Sequence, residues 1–223
     1  MKLFPLFLKL DRRQCLVVGA GMVALEKIEG LLRSGARLRV VSPEAVPGVK
    51  LLSDAGKVEW LARRFQPADL AGCHLVIAAT SDREVNRAVF EEASRRSILC
   101  NTVDDPPLCD FFFASVVERG DLQVAISTAG KSPALAQRLR QEIDRELAPD
   151  LGRWLEDLGE LRREALERIP AGELRRGLLH ELARREVCRA EDCPARQDLH
   201  AAAARMESAA GERNGGKLED APK

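Results

Sequence analysis

Tyrosine is absent from this sequence, and aromatic residues make up only 4% of its 223 residues. With so few rings there is no stacking platform for single-stranded nucleic acid. Charge of one sign is missing too: 35 Lys and Arg balance 35 Asp and Glu. Bulk charge therefore calls for neither a nucleic acid nor an anionic membrane as partner. Long apolar runs are also lacking. The opening MKLFPLFLKL is interrupted by Pro5 and Lys9, too short for a signal peptide or a membrane span, and is expected to enter the edge of a sheet as a strand. A cytoplasmic location follows as an expectation. The three histidines offer little: His74 stands in an apolar run and reads as structural, whereas His180 and His200 stand among charges and read as solvated. Neither G-x-S-x-G nor H-E-x-x-H occurs. Of six cysteines, Cys15, Cys73 and Cys100 sit in apolar runs and behave as small hydrophobes. Cys188 and Cys193, with His200 beyond, do not meet zinc spacing, so no metal site is expected.

What is present is 45% hydrophobic residues, enough for a substantial core. The chain is organised around Gln14 to Glu26, QCLVVGAGMVALE. Cys15 to Val18 suit a strand buried on both faces. Gly19-x-Gly21-x-x-Ala24 then follows the dinucleotide-binding fingerprint with Ala in the third place. Gly19 makes the tight turn, Gly21 lets backbone approach a pyrophosphate, and Ala24 lets helix and strand pack closely. The N–H groups opening the helix, at Met22 and Val23, face the phosphates. The second strand, Arg37 to Ser42, ends where an acid usually reads the ribose; here Ser42 and Pro43 stand there and Glu44 lies two places on. NAD rather than NADP is the expected cofactor.

Further strands are expected at Val58–Ala62, His74–Thr80 and Ser97–Asn101 with Val103, alternating with helices at 22–34, 49–55 and 82–95. Ser81 is the expected N-cap of the last helix, with Glu84 completing a capping box. Alternating strands and helices imply right-handed crossovers and a Rossmann-like, doubly wound parallel sheet in the order 3-2-1-4-5. Its crevice lies at the C-terminal strand ends, where Thr80 and Asn101 fall.

From Phe111 the pattern changes. FFFASVV and LQVAIST flank Glu118-Arg119-Gly120-Asp121 and predict a hairpin. Ser132 as N-cap and Pro133 as first residue start a helix whose Leu135, Leu139, Ile143 and Leu147 form an apolar stripe. Hairpin and stripe together read as a dimerisation element. A further amphipathic helix covers Leu151 to Ile169, with shorter ones to about Arg189. The expected organisation is a nucleotide-binding domain at 1–112, a dimerisation segment at 113–148, a helical domain at 149–205 and a disordered tail at 206–223.

Two loops can carry chemistry. Asn101-Thr102-Val103-Asp104-Asp105-Pro106 follows the fifth strand, and a carboxylate there can move protons while a cofactor takes a hydride. The same residues also suit a plain solvated turn. Thr128-Ala129-Gly130-Lys131-Ser132 offers hydroxyls, an ammonium and a helix start to an anion, and equally suits an ordinary helix cap. Its spacing does not fit a P-loop.

In order and spacing, LFPLFLKL, VVGAGMVALEK, RVVSPE, LVIAATSDREVN, CNTVDDP and ISTAGKSPALAQRLR resemble the precorrin-2 dehydrogenase family, the N-terminal module of siroheme synthase. The match is close over residues 2–147. The resemblance implies a part in siroheme biosynthesis: NAD-dependent oxidation of precorrin-2 to sirohydrochlorin by a homodimer, with Asp104 as the key acid. It puts Thr128 where some relatives carry a serine, and offers Asn101, Thr128, Lys131, Ser132 and Arg138 to the substrate carboxylates. The chain has no room for the methyltransferase domain of the fused enzyme, so its tetrapyrrole is expected from another protein. Two alternatives remain. A bifunctional enzyme also inserts Fe²⁺ into sirohydrochlorin; a non-enzymatic dimer only senses the dinucleotide.

Overall fold

The computed structural model describes residues 3–183. Cys188, Cys193, His200 and the tail from residue 206 lie outside the described residues, as does the helical stretch expected beyond 183. Two compact units share the chain. The first comprises the residues up to Phe113 together with Ala129–Lys131; the second comprises Ala114–Thr128 and the chain from Ser132 onward.

The first unit is built on β1 (Gln14–Val18), β2 (Arg37–Val41), β3 (Glu59–Leu61), β4 (Leu75–Ala78) and β5 (Leu99–Thr102). They form one parallel sheet in the order β3-β2-β1-β4-β5, as the alternation of strands and helices predicts. In the central register, Val17 lies between Val40 and Ile77. The period-2 alternation of strand side chains sorts the core into two layers. Cys15, Val17, Leu38, Val40, Leu75 and Ile77 point to one face, where Ile28 and Val49 cover them from α1 (Met22–Arg33) and α2 (Pro47–Asp54). Leu16, Val18, Val41, Val76 and Ala78 point to the other, covered by Val89 and Ala93 of α3 (Arg83–Arg95). Each fully buried aliphatic side chain contributes about 1.5–3 kcal/mol, which is why these strands read as unbroken apolar runs. Burial also raises the thiols: Cys15 is pushed up to about 11 and Cys100 to about 12.

Several local expectations are corrected. The N-terminal segment forms no strand: residues 3–10 are irregular, Phe4, Leu6, Phe7 and Leu8 are exposed, and only Leu10 reaches the core. Pro5 lacks the N–H a ladder needs. His74 stands one place before β4 and is exposed, its Nε2 accepting from Arg13 Nη1 at 3.1 Å. Asp82, not Ser81, caps α3, its carboxylate accepting from the N–H groups of Glu84 (3.0 Å) and Val85 (3.2 Å). The helix begins one residue later than its sequence signal, so Glu84 falls at its second position and no capping box closes there. A carboxylate at the positive end of the helix dipole is also the stronger cap. The capping box in this unit joins Gln66 and Asp69 instead, in a 3-10 turn at Pro67–Leu70. Asp69 is buried and held by two nitrogens of Arg63 at 2.5 and 2.9 Å.

The second unit holds the expected hairpin, β6 (Ser115–Arg119) and β7 (Leu122–Ile126), antiparallel and joined at Gly120-Asp121. α4 (Pro133–Glu146), α5 (Leu151–Arg168) and α6 (Glu173–Leu182) follow. Arg119 ties hairpin to helix: its Nη1 donates to the Asp144 carboxylate at 2.9 Å and its Nη2 to the Asp144 carbonyl at 2.7 Å. α5 and α6 share a small core of Ala165, Ile169 and Leu182. On α4 the predicted stripe is not buried within the unit: Leu135 is exposed, and Leu139, Ile143 and Leu147 are half-buried.

Candidate active site

The first unit bears a cleft of about 510 Å³ at the C-terminal ends of its central strands. Gly21, Met22, Val23 and Ala24 supply one wall from the start of α1; Ala79, Thr80 and Ser81 form another after β4. Arg83 and Asn86 reach in from α3, and Val103, Asp104 and Asp105 from the loop after β5.

The two glycines of the fingerprint have different causes. Gly19 has φ +107, and a Cβ there would lie 2.3 Å from the carbonyl oxygen of Ala79. Its N–H donates to Val41 O at 2.9 Å, tying the turn to the end of β2. The protein itself therefore requires glycine at 19. Gly21 is the N-cap of α1, and a Cβ built on it meets nothing within 4 Å. No side chain caps the helix. Open space at an uncapped helix N-terminus is what a pyrophosphate cradle needs, with backbone N–H groups and the dipole facing the anion. The site thus fits a dinucleotide, and the backbone of Gly19, Gly21, Met22 and Val23 would hold it.

Thr80 has its hydroxyl engaged. Oγ1 donates to Asn86 Oδ1 at 2.7 Å, and Asn86 Nδ2 returns a bond to the Thr80 carbonyl at 2.9 Å. Asn86 is buried, and sequence reasoning passed it over although a polar residue between Val85 and Val89 on the apolar face of α3 was a visible signal. Arg83, an exposed cation on the cleft wall, was also missed.

Asp104 lines the cleft at φ +60, the third residue of a turn that Asp105 N closes on Thr102 O at 3.2 Å. Left-handed backbone at a residue other than glycine costs about 1 kcal/mol and collects at functional sites. Asp tolerates it better than most residues do.

The other residues expected at the site are not among those lining this cleft. Asn101 is buried and does not line the cleft: its Nδ2 donates to Phe111 O at 2.8 Å and to Cys109 Sγ at 3.5 Å. Ser42, Pro43 and Glu44 follow β2 outside the cleft lining; the Ser42 carbonyl accepts from Trp60 Nε1 at 3.1 Å. Lys131 is exposed. Thr128 and Ser132 belong to the second unit, where Ser132 caps α4 and Thr128 holds Ser132. The Thr128 hydroxyl donates to Ser132 O at 3.1 Å, and Ser132 Oγ accepts from Leu135 N at 3.2 Å. Arg138 is exposed and paired with Glu142 at 2.8 Å. Among the described residues no cluster of three or more His, Cys, Asp or Glu is disposed to hold a metal ion, and no helix is long and apolar enough to cross a membrane.

Sheet order, glycine turn and cleft define a Rossmann-like α/β domain, and comparison with known proteins narrows the class. Residues 6–115 match the family described as "Putative NAD(P)-binding", and residues 119–146 the family described as "Sirohaem biosynthesis protein central". The chain is 49% identical over 162 residues to siroheme synthase 1 of Cronobacter sakazakii, covering 73% of this chain and 34% of that protein. It is 44% identical over 176 residues to a siroheme synthase of Methylobacillus flagellatus, covering 79% of this chain and 38% of that protein. The chain therefore spans little more than a third of the length of the curated relatives it matches. In fold it is similar to SirC, a precorrin-2 dehydrogenase, with a TM-score of 0.70 and 24% identity over 92% of this chain and 98% of that one. Two successive segments, residues 6–115 and 119–146, thus match an NAD(P)-binding model and a sirohaem-biosynthesis model, and the chain is similar to siroheme synthases over about three quarters of its length.

Proposed function

We propose that this protein oxidises precorrin-2 to sirohydrochlorin in siroheme biosynthesis, with NAD as acceptor. The observation that carries the reading is the meeting, in the lining of one cleft, of an uncapped glycine-opened helix N-terminus with Asp104.

Bound NAD supplies an acceptor for the hydride lost from a ring carbon. The chain's residues do the rest. The N–H groups opening α1 hold the pyrophosphate, and the space at Gly21 admits it without displacing backbone. Thr80, locked to Asn86, fixes the wall between the α1 turn and the Asp104 loop. Asp104 takes the proton lost alongside the hydride, so two hydrogens leave the substrate together. Arg83 is the cation on the cleft wall for a substrate carboxylate. NAD rather than NADP is favoured because no arginine stands at Ser42-Pro43-Glu44. Lys131, an exposed cation of the first unit, is a further partner for carboxylates, and Asn101 acts by holding its loop. Residues 113–148 form a homodimer through the α4 stripe, and the location is the cytoplasm.

The name siroheme synthase, borne by the relatives, favours a second reading in which the same chain also inserts Fe²⁺, a substrate here, with Asp104 accepting the pyrrole protons. One anaerobic assay tests both. Precorrin-2 with NAD should give sirohydrochlorin, and Asp104→Asn, which keeps the turn but not the base, should lose at least about a hundredfold in kcat. Subsequent Fe²⁺ decides the chelatase. No oxidation with NAD or NADP rejects the enzyme and leaves a dinucleotide sensor.

A further inference from the structure

The loop that carries Asp104 is fastened from behind by one side chain. Cys109 Sγ accepts from Thr102 N at 3.3 Å and from Asn101 Nδ2 at 3.5 Å. Its proton has two acceptors in reach, Thr102 O at 3.1 Å and Asp105 O at 3.3 Å. The thiol therefore touches the backbone of the first and last residues of the turn whose third residue, Asp104, is left-handed. Its own segment is anchored in turn: Asp110 N donates to Cys100 O at 2.8 Å, Cys100 N to the Asp110 carboxylate at 2.9 Å, and Asn101 Nδ2 to Phe111 O. A left-handed turn at a residue other than glycine persists only where its surroundings over-determine it. Here the surroundings converge on a sulfur able both to donate and to accept. Burial raises the Cys109 thiol, which keeps the donating proton in place.

We propose that Cys109 is a positioning residue for the proton-transfer step: it clasps the Thr102–Asp105 turn and so aims the Asp104 carboxylate into the cleft. The proposal rests on the reading of Asp104 as the base. It requires a group at 109 that accepts from Thr102 N and donates to Asp105 O or Thr102 O, which serine provides and alanine does not.

The test compares Cys109→Ala, Cys109→Ser and Asp104→Asn in full-length protein, in NAD-dependent oxidation of precorrin-2. The clasp predicts that Ala lowers kcat by roughly tenfold to a hundredfold, the scale set by small misplacements of a catalytic group. KM for NAD should stay within about twofold, since the cofactor cradle lies on α1. Ser should restore most of kcat, and the acid limb of kcat against pH should move in Ala but not in Ser. Wild-type turnover in Ala overturns the clasp, as does equal impairment of Ala and Ser. So does a fall in kcat matched by a rise in KM and a lower melting temperature, which marks plain destabilisation. Asp104→Asn separates the two claims. If it abolishes turnover while Cys109→Ala does not, only the clasp fails; if it leaves turnover intact, the base fails and the clasp with it.

Discussion

The two units hold themselves together differently. In the first, β1 and β4 are buried on both faces, and helices from either side complete two apolar layers within the unit. In the second, the hairpin alternates half-buried and exposed residues, Val117 is its one deeply buried side chain, and the α4 stripe keeps Leu135 in the open. A sheet covered on both faces is self-sufficient; a two-stranded ribbon with one half-covered face is marginal alone. On the proposed function, chemistry resides on the unit that needs no help, and the proposed homodimer contact falls to the one that does.

The comparison can be broken most forcefully at Gly19. Gly19→Ala places a Cβ in the Ala79 carbonyl at a φ that only glycine adopts readily, and should cost at least about 4 kcal/mol. Insoluble expression or loss of the main melting transition checks it. Next comes Ile143→Asp on the α4 stripe. If that face seats a second copy, sedimentation should show dimer converting to monomer. Hydrogen exchange should then rise in β6, β7 and α4 while β1 and β4 keep their protection. Unchanged mass and exchange would mean that the second unit is self-sufficient too.

A smaller effect lies at Asp69, which sharpens the account of the first unit. Hydrogen bonding to Arg63 holds its carboxyl below the ordinary range, with burial opposing. The pair therefore stabilises above the unfolded carboxyl's value of about 3.9, and its contribution is lost as pH falls through the lower folded value. Asp69→Asn should cost about 1–3 kcal/mol at neutral pH, discounted because Arg63 is 39% exposed, and the gap to wild type should close below about pH 4. Urea melts across pH check the sign. Smallest in stability is Gly21→Val: nothing stands within 4 Å of the new Cβ, so melting should move by no more than about 1 kcal/mol, chiefly from backbone entropy. Affinity for NAD, read by calorimetry, should nevertheless fall at least about tenfold.

The sheet order was legible because a strand buried on both faces has no choice but a continuous apolar run, and because Gly19 must be small for internal reasons. The site was legible in part. Met22, Val23, Thr80 and Asp104 line the cleft as the motif places them. Asn101 does not, since strand pleating decides which face a residue takes and here turns its amide toward Phe111. Nothing local marks Cys109 either, because its partners are set by a chain reversal after β5. The N-terminal LFPLFL misled for the opposite reason: its composition suits a strand, but Pro5 removes a donor and no sheet edge receives it.

The positive φ at Asp104 has a consequence for anyone re-engineering this scaffold. A sequence optimised for the backbone alone will favour Gly or Asn at 104, since either relaxes the turn, and it will score that choice as an improvement. On the reading of Asp104 as the base, stabilisation campaigns and catalytic competence pull against each other at this residue. Position 104 is therefore the one to freeze before any redesign begins.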